Sequence, residues 1–429
     1  MSDVTVPHAH PAPVHSGRLS ASVAFYLMAS IVISFLAGSS APTPLYAVYQ
    51  ATWGFSPITT TVVFGVYALA LLAALLTVGS LSDYVGRRPV LLVAIVVQAA
   101  VMLVFATAGG VPALLVARIM QGLSTGAALG ALGAGMLDLH KAQGTIANAV
   151  APPIGTATGA LGSGLLVQYL PAPTHLVYLV LFIVFVLQAI GVTLMAETSI
   201  PRPGAWASLR PRFALPPVTR HPLLVAVPAL VAGWSLAGFY ASLGPTLVRL
   251  VVGSDAIVLG GLALFVLTGS GGVTVLLLRT TPPRTVMVLG AVALIVGVGL
   301  TLLAITRTAT AAFFIGTAVA GVGFGGGFQG AMRTVLPLVA PRERTGVLSI
   351  IYLVSYLAMG LPAVIAGFLV VHGGGVRPTA REYGVAVMVL AALALLGNVT
   401  MSTNKRAGWR GRAVSGTSDR TDRKGGLAR

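Results

Sequence analysis

Cysteine is absent from the chain, which excludes disulfides, thiolate metal sites and cysteine nucleophiles. Charge is scarce as well. Only 8% of the 429 residues are Asp, Glu, Lys or Arg, where a soluble domain carries about 25%. The scarcest charges are acids: Asp3, Asp83, Asp138, Glu197, Asp255, Glu343, Glu382, Asp419 and Asp422. All nine fall in loops, tails or the ends of long apolar runs, so no carboxylate is expected deep within a run. No histidine lies deep in one either. That removes the His/Asp metal clusters and Ser/His pairs that a membrane enzyme would need, and no metal or cofactor is expected. The glycine-rich stretch GVGFGGGFQG (321–330) follows no strand and precedes no Gly-Lys-Ser/Thr, so it is not a phosphate loop.

What remains is apolar. Hydrophobic residues make up 56% of the chain, and mean hydropathy is +0.94. A membrane crossing needs about 20 apolar residues, because about 30 Å of hydrocarbon is traversed at 1.5 Å per residue. Twelve runs meet that length: 22–46, 57–80, 89–109, 112–137, 144–168, 175–196, 223–250, 257–279, 285–305, 311–337, 345–371 and 382–402. Each is expected to be a helix, since a backbone polar group left unpaired in lipid costs several kcal/mol. The longest interruption, 197–222, is rich in proline and arginine. It reads as a linker between an N-terminal six-helix bundle (22–196) and a C-terminal one (223–402). The N-terminal segment 1–21 lacks a basic region followed by an apolar core and reads as a disordered tail, not a cleaved signal. Its His8, His10 and His15 are read as part of that tail.

The net charge of +17 does not point to nucleic acid, because the basic residues sit at the ends of apolar runs and in the segment 403–429. Positive residues concentrate on the cytoplasmic side of membrane proteins. With both termini cytoplasmic, the inward-facing segments hold 21 of the 26 Lys and Arg, and the outward loops only Arg249, Arg307, Arg377 and Arg381. The basic tail reads as a disordered topology signal, with a grip on anionic lipid as the alternative. With only three lysines among so much Ala, Gly, Val and Arg, the composition suggests a GC-rich bacterial genome and an inner membrane.

Three clusters stand out against this background. The first, GSLSDYVGRRPVLL (79–92), joins the second and third runs. Positive charges belong there, but that does not explain Asp83 with Gly79 and Gly86 at these spacings. The second is Arg118 with Gln121 and Gly122, about six residues into the fourth run. An arginine inside a span costs at least 2.5–3.5 kcal/mol on insertion scales and is a functional candidate. Gly122, Gly126 and Gly130 follow at four-residue steps, a small-residue face for close packing. Asp138 lies about 30 Å further along, so it cannot pair with Arg118. The third is Pro152, Pro153, Gly155 and Gly159 in the fifth run, where paired prolines bend a helix and the glycines admit a neighbour.

The pattern of Gly79, Leu81, Asp83, Gly86, Arg87 and Arg88 resembles the loop 2–3 signature of the major facilitator superfamily of transporters. Tyr84 departs from it where many members carry a basic residue. Arg118, Gln121 and Gly122 are similar to the family's R-x-x-Q-G pattern. The third cluster resembles the proline–glycine signature of the family's exporter branch, with a paired proline in place of Gly-Pro and without the terminal Gly-Gly. The resemblance implies an all-α integral membrane fold of twelve helices in two six-helix bundles around a central cavity. It further implies that Asp83 faces the start of the eleventh helix near Thr345 and Gly346. Arg87 or Arg88 would bridge to Asp138, forming a cytoplasmic gate. The function implied is secondary transport of a small molecule, with proton-coupled efflux ahead of uptake or facilitated permeation, in a monomer. Polar and aromatic residues on helical faces, namely Tyr26, Ser30, Ser34, Trp234, Tyr240, Gln329, Tyr352, Ser355 and Tyr356, are the candidates to line the cavity. Without a buried acid, neutral or anionic substrates are favoured. Proton coupling would rest on Arg118 and waters, on Asp83 or Asp138 at the inner gate, or on His140 at a span end. Arg118, Gln121 and Gly122 are the coupling or substrate candidates of the fourth run.

Overall fold

The computed structural model describes residues 17–340 and 342–422, with 400–422 as backbone only. His8, His10, His15 and the final seven residues lie outside the described residues. Twelve helical segments are long and apolar enough to cross a membrane, in two six-helix bundles.

The first crossing is broken. Helix α1 (Ala21–Ser40) meets α2 (Pro42–Trp53) at Ala41, because Pro42 and Pro44 cannot donate the helical hydrogen bonds that would continue α1. Then come α3 (Pro57–Thr77), the short α4 (Ser82–Val85), α5 (Arg87–Ala106), α6 (Val111–Leu139), α7 (Lys141–Tyr169) and α8 (Leu176–Leu194). After the short α9 (Ala205–Ser208), the second set is α10 (Pro217–Val252), α11 (Ile257–Leu277), α12 (Pro283–Arg307), α13 (Thr310–Val335), α14 (Arg344–His372) and α15 (Val376–Asp422). Helix α10 starts six residues before the predicted run and carries Pro222, Pro228 and Pro245 within it. Helix α15 starts six residues early and continues well past 402. No proline follows to stop it.

Glycines set how closely these helices pack. On α6, a Cβ at Gly122, Gly126 or Gly130 would lie 2.6, 2.4 and 2.3 Å from the carbonyls of Tyr67, Leu71 and Gly79. The four-residue stripe on α6 therefore rests directly on the backbone of α3 and of Gly79 just beyond it. Between the bundles the contact is equally close. Along α7 the positions Ala160, Gly164 and Gln168 meet Gly261, Val258 and Ile257 of the antiparallel α11. Gln168 Oε1 accepts the Ile257 N–H at 2.8 Å. Helices α3 and α14 cross through Thr61 with Gly367 and Gly65 with Gly360. At the end remote from α4 the two bundles are thus interlocked. Side chains such as Val93, Leu187 and Leu277, each more than half exposed, face outward as lipid contact requires.

Candidate functional site: a loop cluster, a buried arginine and an aromatic midplane

Helix α4 and the start of α5 form the first centre. Gly86 joins them at φ 102°, in the left-handed region that side chains disfavour. A Cβ there would also fall 2.6 Å from Glu197 Oε2, so glycine is required twice over. Glu197 Oε1 accepts the Arg87 N–H at 2.8 Å, and Oε2 accepts the Arg88 N–H at 3.0 Å. Those two N–H groups open α5 and have no partner within the helix, so the carboxylate caps it and meets its positive dipole end. The buried Arg87 donates Nε–H to Asp138 Oδ2 at 3.3 Å, donates to Ser82 Oγ at 2.8 Å, and pairs with Asp83. Arg88 donates to the Thr193 carbonyl. The segment between the bundles is fastened here too: Arg202 N–H donates to the Tyr84 carbonyl at 2.8 Å and Ser80 to the Ser208 carbonyl at 3.2 Å. Among the described residues the Asp83 carboxylate bonds to Arg87 alone. The start of α14 packs at Gly346 against Ala214 of the connecting segment instead.

Replacing Glu197 by Ala is expected to lower stability by about 0.5–2 kcal/mol, the range for losing a side-chain cap. Thermal unfolding in detergent reads this. Unchanged unfolding would mean that water caps α5 equally well.

The second centre is Arg118, fully buried in α6. Its Nε–H donates to Tyr46 Oη at 3.0 Å, and one terminal nitrogen donates to the Ser39 carbonyl (2.8 Å) and Gln121 Oε1 (2.7 Å). The other terminal nitrogen also reaches Tyr46 Oη. Four of the five guanidinium N–H groups are thereby used within the N-terminal bundle. The rings of Tyr46, Tyr67 and Phe105 surround the cation at 5.6, 5.2 and 5.7 Å, which compensates part of its desolvation. The break in the first crossing explains the acceptors. Pro42 cannot donate to the Gly38 carbonyl, and Gln121 Nε2 donates there instead at 3.0 Å. Ser163 supplies the Ala41 carbonyl at 2.6 Å. Arg118 and Gln121 therefore fasten the broken helix, while Asp138 belongs to the loop cluster.

The third centre lies midway along α3, α10 and α14. Tyr67, Leu71, Leu72 and Tyr356 are buried together, with Trp234 and Tyr352 packed on them. The Trp234 ring lies 5.1 Å from Tyr356, 5.6 Å from Phe328 and 5.9 Å from Phe324. Tyr67 Oη, Trp234 Nε1 and Ser355 Oγ are buried there without a hydrogen-bond partner; Ser39 and Thr125 flank the Tyr67 hydroxyl.

The structure thus joins Trp234, Tyr352 and Tyr356 but leaves other cavity candidates apart. Tyr26 is two-thirds exposed. Ser30 and Ser34 accept from Gln188 of α8, at 3.3 and 2.8 Å, inside the N-terminal bundle. Tyr240 bonds Thr317 of α13 at 2.9 Å, and Gln329 donates to the Val275 carbonyl at 2.7 Å, both within the C-terminal bundle. Pro152 and Pro153 lie inside α7. Pro153 abuts Gly272 of α11, and Gly155 and Gly159 seat α7 on α1, where added Cβ atoms would come 2.5 and 2.3 Å from the carbonyls of Ile33 and Ala37.

Sequence reading missed Glu197, Tyr46 and Tyr67. Glu197 is the one acid just past the sixth run, a usable signal. Tyr67 resembles any aromatic in an apolar run and gave none.

Twelve crossing helices in two bundles, with a charged loop cluster at one end and an aromatic contact between bundles at mid-height, define a membrane transporter. The chain belongs to the Major Facilitator Superfamily, whose model matches residues 27–306. Among solved structures, a mutant of the nucleoside transporter NupG superposes with a TM-score of 0.69 at 13% identity, covering 88% of this chain and 100% of that one. A bacterial homologue of the human lysosomal transporter Spinster, inward-facing and unoccupied, gives 0.67 at 12% identity, covering 89% and 97%. These likenesses concern the fold. No curated protein sequence matches the chain.

Proposed function

We propose that this transporter exports a small drug-like or metabolite compound from the cytoplasm in exchange for protons, as a monomer in a bacterial inner membrane with both termini cytoplasmic. The observation that carries the reading is the Asp83–Arg87–Asp138 group. It is an ionisable relay beside the connecting segment, at the end where the bundles must part for entry from the cytoplasm. The paired prolines of α7, seated between α1 and α11, support export through their likeness to the exporter signature. Alternating access then consists of one bundle rocking on the other around a midplane site. In one limit the α7–α11 contact is closed, and in the other the loop cluster closes against the C-terminal bundle. Gly79, Gly86 and Arg88 shape that cluster; Asp138 and Asp83 exchange the proton as Arg87 shifts between them.

The test is proton movement in proteoliposomes under an imposed pH gradient, with a panel of neutral, anionic and cationic compounds. Substrate-driven proton flux is expected with neutral members, and Asp138→Asn is expected to abolish the flux. Silence across the panel by folded protein overturns proton exchange in favour of facilitated permeation. Flux unchanged in Asp138→Asn removes the relay.

A further inference from the structure

The three unpartnered polar groups at the midplane call for an explanation, because buried donors and acceptors in native proteins are nearly always satisfied. Tyr67 is 4% exposed and Ser355 is fully buried. Ser355 lies on one helical stripe of α14 with Tyr352, Tyr356 and Met359, at spacings of three and four residues, and those three residues all join the aromatic cluster. Tyr67 comes from the N-terminal bundle; Trp234 and Ser355 come from the C-terminal one. The unused hydrogen-bonding capacity therefore straddles the surface on which the bundles rock.

The chemistry of the three groups is one-sided. An indole N–H only donates, and the two hydroxyls donate or accept. No Asp or Glu lies in α3, α10, α13 or α14, the helices that supply these side chains. Arg118 stands beside the cluster, its guanidinium 5.2 Å from the Tyr67 ring centre with four of its five N–H groups committed to Tyr46, Ser39 and Gln121. A cation over the face of a phenol draws electron density from the ring and sharpens its hydroxyl as a donor. Arg118 thus acts on a ligand through Tyr67 while holding none itself, and its field repels a cation from the same place. Flat aromatic walls from Trp234, Phe324, Phe328 and Tyr356 favour a planar ring by offset or edge contact.

We infer that Tyr67, Trp234 and Ser355 form the substrate's seat, and that it takes a neutral, planar ring compound carrying two or more hydrogen-bond acceptors such as ring carbonyls. This rests on the transport reading above and assigns its substrate class. Tyr67 is the specificity-determining donor, and closing the bundles on the ligand brings the α3 hydroxyl and the α10 indole to opposite edges of one ring.

The chain has four tryptophans, so a full-length Trp53→Phe, Trp206→Phe, Trp409→Phe protein reports on Trp234 alone. Its emission is titrated with caffeine, thymine and nicotinamide as neutral acceptor rings, 1-naphthoate as an anion and tetraphenylphosphonium as a cation. A saturable emission change is expected with at least one neutral ring, weakened about tenfold or more by Tyr67→Phe and unaffected by Tyr169→Phe, a surface control. Thermal unfolding checks that Tyr67→Phe is folded. A tighter response to the cation or the anion, a Tyr67→Phe variant that binds normally, or no saturable change with any neutral ring overturns the assignment. Proton flux driven by these same compounds is read in parallel. Flux without a Trp234 response sinks the seat and leaves the transport reading standing, whereas binding without flux does the reverse.

Discussion

Arg118→Met is expected to cost the protein about 3 kcal/mol, because three buried acceptors are orphaned at about 1–3 kcal/mol each while the penalty of burying a cation is relieved. The methionine fills similar volume, so the loss comes from the groups left behind. The Ser39 carbonyl, Gln121 Oε1 and Tyr46 Oη all lose donors, and each buried orphan costs about 1–3 kcal/mol. Gln121 keeps its bond to the Gly38 carbonyl, which limits the damage. Because the Ser39 and Gly38 carbonyls sit at the break in the first crossing, the failure should begin there, with α2 losing its angle to α1. Arg118→Lys should fall between the two. A lysine retains the charge and the ring contacts, but its single ammonium cannot reach Tyr46, Ser39 and Gln121 with the geometry of a fork. Thermal unfolding of the purified variants should give wild type above Lys above Met. If Met unfolds with wild type, the network is dispensable for stability, and the arginine is retained for transport alone.

How far these features are visible beforehand depends on their range in sequence. The twelve crossings follow from run length and hydropathy, since no other backbone arrangement of such runs is stable in lipid. The close-packing face of α6 is visible because Gly122, Gly126 and Gly130 repeat at the helical step, although the repeat does not name α3 as its partner. The same limit misplaces Ser30 and Ser34. Their four-residue spacing puts them on one face of α1, but that face meets Gln188 of α8, not the other bundle. Capping of α5 by Glu197 joins groups 110 residues apart, and no local pattern encodes that. The break at Ala41 was encoded, in Pro42 and Pro44, yet the surrounding run is apolar enough to read as continuous. Hydropathy reports that a segment crosses, and is nearly silent on whether it crosses in one piece. Tyr67 is the extreme case, because its importance comes wholly from its neighbours: Arg118 over its ring, Tyr356 in the same cluster, and Ser39 and Thr125 beside its hydroxyl.

The contact between α7 and α11 makes the second large expectation a conformational one. A Cβ at Gly261 would stand 2.2 Å from the Ala160 carbonyl, a distance that real atoms do not occupy. Backbone cannot yield as a flexible side chain does, so Gly261→Val must push the helices apart. One turn away, a Cβ at Gly164 would lie 3.1 Å from Val258 Cα, and the Gln168–Ile257 hydrogen bond closes the same seam. Forcing added methyl groups into such packing costs about 1–3 kcal/mol or more. The cost falls on the state in which this end is closed and is relieved when the bundles part here. Since about 1.4 kcal/mol is tenfold in a population ratio, the open fraction should rise about tenfold or more. The chain's lack of cysteine makes the measurement direct. Ala157 is buried on α7 facing Gly269 of α11, so Ala157→Cys places one thiol inside the seam. On the topology proposed above, a membrane-impermeant maleimide added outside should label Ala157→Cys slowly, and Ala157→Cys/Gly261→Val about ten times faster. Gln168→Ala, which removes one hydrogen bond and no packing, should give a smaller increase. Equal labelling in all three proteins would mean that α7 and α11 separate freely, and that the closed end is held by α3 on α14 instead. There Gly367 meets Thr61, and a Cβ would come 2.1 Å from its hydroxyl oxygen.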